Sequence, residues 1–359
     1  MRISYLLSYA VMQGASDLHI TVGVPPLIRV NGELQPIKYD VISPEDSREM
    51  MYEVMSESQR ERFEQHKYVG FSMSMEDTGR VRANIYHQRG YVEGCFRIVP
   101  FEVPRLEDLG LPDMVMEFCR KPRGLILVTG PSGSGKTTTF NAMIDFINRE
   151  RRVKIVTVED PIEYIHGPKK GFVVQQEVET DAVSFHEALY CILRMDPNVI
   201  GVGELRSLET IQMALTAAET GHLVIGTLHT QDAPQTIERL IDVFPPHQHA
   251  QVRMQMSMSL QGVICQLLLP RVYKEGRVLA CEVMIGNQGV KNLIRENKIE
   301  QLHTLIQTGS VQGMQTMDKS LRDLYEQGII TYNTAVNRAK HPRDITEKKR
   351  KRQGSDVDW

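Results

Sequence analysis

Paired cysteines, long apolar runs, a charge excess and repeats are all missing from this chain, and each absence excludes something. The five cysteines, Cys95, Cys119, Cys191, Cys265 and Cys281, stand singly with no CxxC pair. Such spacing builds neither a disulfide framework nor a zinc site, so a reducing cytoplasm is expected. Lys plus Arg number 42 against 45 for Asp plus Glu, a net charge of −3. A chain so balanced is not built to coat nucleic acid. No apolar run approaches the roughly 18 residues of a membrane span. The start, Met1-Arg2-Ile3-Ser4-Tyr5-Leu6-Leu7, lacks the long apolar stretch and small-residue cleavage site of a signal peptide. No internal repeat is visible. What is left is a globular composition, 41% hydrophobic and 24% charged over 359 residues. At about 150 residues per domain, that length accommodates two domains or three.

Hydropathy patterning divides the chain. Ile3, Leu6, Leu7, Ala10 and Val11 recur at helical spacing. Leu27-Ile28-Arg29-Val30, Asn31-Gly32 and Glu33-Leu34 read as a hairpin, because Asn-Gly accepts the positive φ of a tight turn. Segments 80–87 and 94–99 alternate apolar and polar residues like half-buried strands. Residues 1–98 are therefore expected to form a small α+β domain on an antiparallel sheet. Pro100, Pro104 and the acidic stretch before Pro112 mark a linker over 99–112. Beyond it, 124–129, 153–158, 199–202 and 223–227 are short continuous apolar runs, suited to parallel strands covered on both faces. They place an α/β core at 113–286, followed by a helical region at 287–343. The charged tail at 344–359 includes Lys348-Lys349-Arg350-Lys351-Arg352, expected to be disordered and solvated.

The decisive motif is Gly130-Pro131-Ser132-Gly133-Ser134-Gly135-Lys136-Thr137, a GxxxxGK[ST] loop between a predicted strand and a predicted helix. Chance places this pattern in roughly one chain per hundred of this length, before the strand context is required. The glycines let the backbone turn its N–H groups toward phosphate, aided by the positive end of the next helix. Residues 130–138, through Thr138, are expected to cradle the phosphates of ATP. Lys136 reaches the β and γ phosphates, and the Thr137 hydroxyl binds Mg²⁺. No NKxD base-reading motif follows; Asn297-Lys298-Ile299-Glu300 comes nearest and lacks the Asp. Glu159-Asp160-Pro161-Ile162-Glu163 and Gly203-Glu204 end the second and third apolar runs, where carboxylates can hold Mg²⁺ and orient water. His222 and His229 bracket the fourth, and each can donate to phosphate; no Cys or acidic cluster accompanies them as metal ligands.

These motifs, in this order, resemble the type II/type IV secretion ATPase superfamily, and within it the retraction ATPases of type IV pili. Val158-Glu159-Asp160-Pro161-Ile162-Glu163 resembles the Asp box, and 196–204 the atypical Walker B motif. Ala15-Ser16-Asp17-Leu18-His19 and Pro25-Pro26-Leu27-Ile28-Arg29 are similar to the PAS-like N-terminal domain. Gly289-Val290-Lys291-Asn292-Leu293-Ile294-Arg295-Glu296 resembles the AIRNLIRE element associated with retraction. The resemblance implies a RecA-like P-loop core, a cytoplasmic homohexamer and an ATP site between the two domains. It implies Glu163 as general base and Glu204 as the Mg²⁺-associated acid, acting through water. It makes His222 and His229 couplers of the γ-phosphate, and Arg82 and Arg97 the phosphate-sensing arginines. Its partners would be an inner-membrane platform protein and a paralogous retraction ATPase, with the motor bound peripherally at the inner-membrane pilus machine. An assembly or secretion ATPase of the same superfamily and a weakly hydrolysing accessory subunit are the alternatives. Three departures stand out: Tyr190 where Arg is usual, Ser207 for Asp, and Gly289 for Ala, the last weakening a helix by about 1 kcal/mol.

Overall fold

The computed structural model describes residues 3–30, 33–75, 79–99, 102–273 and 276–346. It divides into two units, residues 1–103 with 161–166, and residues 104–160 with 167–359. The segment 161–166, read from composition as part of the core, groups with the first unit. The basic cluster 348–352 lies outside the described residues, as does the Asn31-Gly32 turn.

The first unit contains α1 (Ile3–Met12), β1 (Asp17–Ile20), β2 (Leu27–Val30), β3 (Glu33–Pro36), α2 (Pro44–Val54) and α3 (Glu57–His66), then β4 (Tyr68–Met75), β5 (Gly79–Gln88) and β6 (Tyr91–Val99). Its sheet has six strands in the order β3-β2-β1-β6-β5-β4, every pair antiparallel. The hairpin β2–β3 forms as expected, with Val30 opposite Glu33. Between β5 and β6, Arg89 and Gly90 both take positive φ, 52° and 87°, as a two-residue I′-type turn requires. Leu18, Ile28, Phe96 and Ala83 lie in register on one face and are buried in the core with Leu6, Leu7 and Met51. Alternation then commits Asp17, Arg29, Arg97 and Arg82 to the other face.

The second unit contains α4 (Met114–Arg120), β7 (Gly124–Thr129), α5 (Lys136–Glu150), β8 (Lys154–Glu159), β9 (Phe172–Glu177), α6 (Phe185–Ile192), β10 (Val199–Val202), α7 (Leu208–Glu219), β11 (Leu223–Leu228), α8 (Ala233–Asp242), α9 (His249–Ser259), β12 (Leu260–Pro270) and β13 (Arg277–Ile285). Four helices follow, α10 (Gln288–Arg295), α11 (Leu302–Thr308), α12 (Met317–Glu326) and α13 (Tyr332–Arg338). The seven-stranded order is β13-β12-β7-β11-β10-β8-β9, parallel except for the β12–β13 pair. All residues of β7, β10 and β11 are buried, because helices cover both faces of a parallel sheet. The four apolar runs thus become adjacent parallel strands of a RecA-like core, as expected.

In the second unit three strands, β9, β12 and β13, have no counterpart in the sequence reading. β12 starts at Leu260, directly after α9 ends at Ser259, with no glycine or proline to announce the change. Gly289 also behaves differently from expectation. It sits in the first turn of α10, and a Cβ there would lie 3.1 Å from the Leu305 side chain of α11. The glycine makes room for that neighbour, and the interior helix penalty does not carry over to a first turn.

Candidate functional site

The loop 130–135 leaves the end of β7 and enters α5. Gly130, Gly133 and Gly135 take φ of 142°, 77° and 90°, a backbone that side chains resist. At Gly130 a Cβ would also meet the Gln266 carbonyl at 2.4 Å. Gln266, on β12, donates from Nε2 to Thr139 Oγ1 at 2.8 Å within the core, pinning the first turns of α5 to the sheet. Lys136 opens α5, so its neighbours' N–H groups have no intrahelical partner and face the loop. The Ser134 hydroxyl, buried inside the loop, has no hydrogen-bond partner among the described residues. Lys136 Nζ donates to the Gly130 and Pro131 carbonyls at 2.9 and 3.0 Å and lies 3.4 Å from His229 Nδ1. Burial pulls its ammonium below the usual lysine range, and Glu204 works against that shift.

Glu204 follows β10 and His229 follows β11, adjacent parallel strands that end on the P-loop side. Glu204 Oε1 lies 3.1 Å from His229 Nε2 and 2.6 Å from Arg206 Nε. The two contacts of His229 fit one tautomer, with Nε2–H donating to Glu204 and Nδ1 accepting from Lys136. A continuous polar chain therefore runs Arg206, Glu204, His229, Lys136, P-loop. Arg206 is the member that the sequence reading missed; its position two residues after Glu204 is the only signal it gave. Thr137 and Thr138 lie half-buried in the first turn of α5.

His222 is not brought to this cluster. It precedes β11 while His229 follows it, and seven residues of extended chain separate them by about 20 Å. Its Nδ1 lies 3.0 Å from the Ala217 carbonyl, closing the C-terminal end of α7. The spacing of seven thus places the two histidines at opposite ends of one strand, as expected, with His229 beside Lys136. Tyr190, in the last turn of α6, is on the approach to the start of β10, while the P-loop follows the end of parallel β7. There the Arg194 guanidinium lies 4.4 Å over the Tyr190 ring and donates to its hydroxyl at 2.5 Å. Ser207 accepts from the Thr210 backbone N–H at 3.3 Å and caps α7, a task that Asp performs equally well.

Glu159, at the end of β8, is buried and accepts from Thr157 Oγ1 at 2.7 Å and Gln175 Nε2 at 3.1 Å. Glu163 is exposed and belongs to the 161–166 segment of the first unit. In that unit Arg82 and Arg97 stand directly opposite each other on β5 and β6.

The loop suits a nucleotide by three tests: backbone donors left without helical partners at the start of α5, glycines at positive φ, and a buried ammonium that bonds to two carbonyls and a ring nitrogen. Comparison with known proteins agrees. The family described as "Type II/IV secretion system protein" matches residues 102–356. The type IV pilus retraction ATPase PilT of Pseudomonas aeruginosa is 45% identical over 345 residues, covering 96% of this chain and 100% of that protein. The type IV pilus ATPase PilU of the same organism is 40% identical, covering 96% and 90%. A crystal structure of the pilus retraction motor PilT with bound ADP superposes with a TM-score of 0.91 at 48% identity, covering 96% of this chain and 98% of that one. No helix among the described residues is long and apolar enough to cross a membrane.

Proposed function

The chain belongs to the type II/IV secretion system protein family, and from that premise we propose that it is an ATPase motor that retracts type IV pili. The observation that carries the reading is the chain of contacts from the P-loop through Lys136 and His229 to Glu204. It puts a cation, a hydrogen-bonding ring and a carboxylate at one strand-end cluster, where phosphoryl transfer needs them.

In this reading, residues 130–138 hold the phosphates, and Lys136 exchanges its two loop carbonyls for β and γ oxygens. His229 follows that movement because its Nδ1 partner is Lys136, and Glu204 registers it through Nε2. Thr137 and Glu204, the latter through water, would hold Mg²⁺, which supplies charge neutralisation at the phosphate oxygens. Glu163 orients the attacking water, and Arg82 and Arg97 take up phosphate oxygens of the ATP of their own subunit. The motor works as a cytoplasmic homohexamer against an inner-membrane platform protein, alongside a paralogous retraction ATPase. The 289–296 element supports retraction.

The test is genetic. A strain lacking this chain is expected to be hyperpiliated and unable to twitch, and Lys136→Ala should not restore it. A bald strain would assign the chain to pilus assembly instead.

A further inference from the structure

On the open face of the first unit, four side chains stand in one row across the strands. The register opposes Arg29 to Asp17, Asp17 to Arg97 and Arg97 to Arg82. Directly opposed residues share a face, and like charges placed so repel each other. Arg82 forms no ion pair among the described residues, so the Arg97–Arg82 end of the row has excess positive charge.

Asp17 is the one carboxylate in the row, and it is fixed. Its side chain is 9% exposed, and its Oδ2 accepts from Ser16 Oγ at 2.8 Å and lies 3.8 Å from Arg29 Nε. Its Oδ1 accepts from Arg97 Nε at 3.1 Å, although the Arg97 side chain is 69% exposed. Engagement through Nε leaves the outer edge of the guanidinium, Nη1 and Nη2, for a bidentate acceptor. An exposed arginine otherwise spreads over many rotamers and must give them up on binding.

We propose that Asp17 is a positioning residue for Arg97, holding its guanidinium by Nε so that the Nη edge is presented, beside Arg82, to the phosphate oxygens of the nucleotide. This deepens the reading of Arg97 as a phosphate ligand and rests on it. Asp17 does not compete with phosphate, because the two acceptors use different edges of the same guanidinium.

The experiment is a double-mutant cycle on ATP turnover by the full chain. Asp17→Ala should lower kcat about tenfold with KM for ATP changed less than about threefold, since the lost order is felt mostly where charge develops. Asp17→Asn is isosteric and keeps an acceptor, so it should fold normally and retain most of the activity. In an Arg97→Ala background neither substitution should lower turnover further, because the group being positioned is gone. A loss that carries undiminished into that background would assign Asp17 to the fold alone and overturn the inference. Full activity in Asp17→Ala beside a defective Arg97→Ala would also overturn it, while leaving Arg97 as a phosphate ligand. Full activity in Arg97→Ala would remove both.

Discussion

The two sheets of this protein solve the problem of displaying charge in opposite ways. The antiparallel sheet of the first unit has helices over one face only, so charged residues can stand on the other, in rows set by register. In the second unit the central parallel strands β7, β10 and β11 are buried throughout, and the groups of the P-loop cluster stand where strands end. Lys136 opens the helix that follows β7, and Glu204 and His229 follow β10 and β11, all at the same ends of adjacent parallel strands. Chemistry at strand ends gathers groups that are far apart in sequence, whereas a row on a sheet face gathers residues of paired strands. The second unit is therefore suited to bonding a ligand from several directions, and the first to displaying charges in a row set by register.

The largest expected effects test that contrast at its extremes. Lys136→Ala removes the point charge of the strand-end cluster and should lower turnover about a thousandfold, with ATP binding weakened as well. Glu163→Ala, from the segment grouped with the first unit, should lower kcat about a hundredfold and leave ATP affinity within a factor of about three, because orienting water adds little to ground-state binding. Both are read from steady-state turnover beside equilibrium binding of a fluorescent ATP analogue. An affinity that falls as far as kcat in Glu163→Ala would put Glu163 among the nucleotide ligands and blur the division of labour.

The contrast also explains what could be read from the sequence. The P-loop was legible because its glycine spacing answers to one backbone geometry, and the four core strands because burial on both faces makes them continuously apolar. Arg82 and Arg97 came from the resemblance, and their direct opposition follows from a two-residue turn at 89–90 that sets the register. Arg206 and Asp17 were not legible, since an ion pair across a loop or between strands leaves no periodic trace. β12 was hidden for a different reason: Met256, Leu260 and Val263 are buried on either side of a helix-to-strand change, and hydrophobicity alone does not register it. For His222 the spacing gave its place, since seven residues set it and His229 at opposite ends of β11.

A smaller effect is expected from Glu282, a buried carboxyl on β13 inside the second unit. Its Oε1 accepts from the Ala233 backbone N–H at 2.8 Å, and the Met317 N–H also bonds to it. Ala233 and Met317 are the first residues of α8 and α12, so one carboxyl caps two helices. Burial, against those donors, pushes its pKa from 4.5 up to about 7. The folded state thus holds this proton more tightly than the unfolded state. The stability it contributes is complete below pH 4.5 and is lost as pH rises through about 7. Urea titrations at pH 5 and pH 8 should show the wild type losing about 2–3 kcal/mol relative to Glu282→Gln across that interval. Equal slopes for the two proteins would show that the carboxyl keeps its ordinary proton affinity and that burial does not set it.

The smallest effect concerns Ser207, which stands where the resemblance leads one to expect Asp, three residues after Glu204. If polar groups at this edge were all chemical, the exchange of a carboxylate for a hydroxyl would change turnover. The structure gives Ser207 another task. Its φ of −96° and ψ of 158° are those of an N-cap, and its hydroxyl accepts from Thr210 N at 3.3 Å to start α7, whose Ile211, Ala214 and Leu215 are packed in the core. Ser and Asp are near-equivalent caps, so Ser207→Asp should alter stability by less than about 0.5 kcal/mol, whereas Ser207→Ala should cost about 1 kcal/mol. Both variants should turn over ATP within a factor of about two of wild type, because the residue touches neither Glu204 nor the P-loop. Denaturation midpoints and turnover measured on the same samples separate the two roles. A several-fold change in kcat for Ser207→Asp at unchanged stability would show that the added charge reaches the site, and residue 207 would then belong with Glu204 and His229 among the strand-end groups that act on the nucleotide.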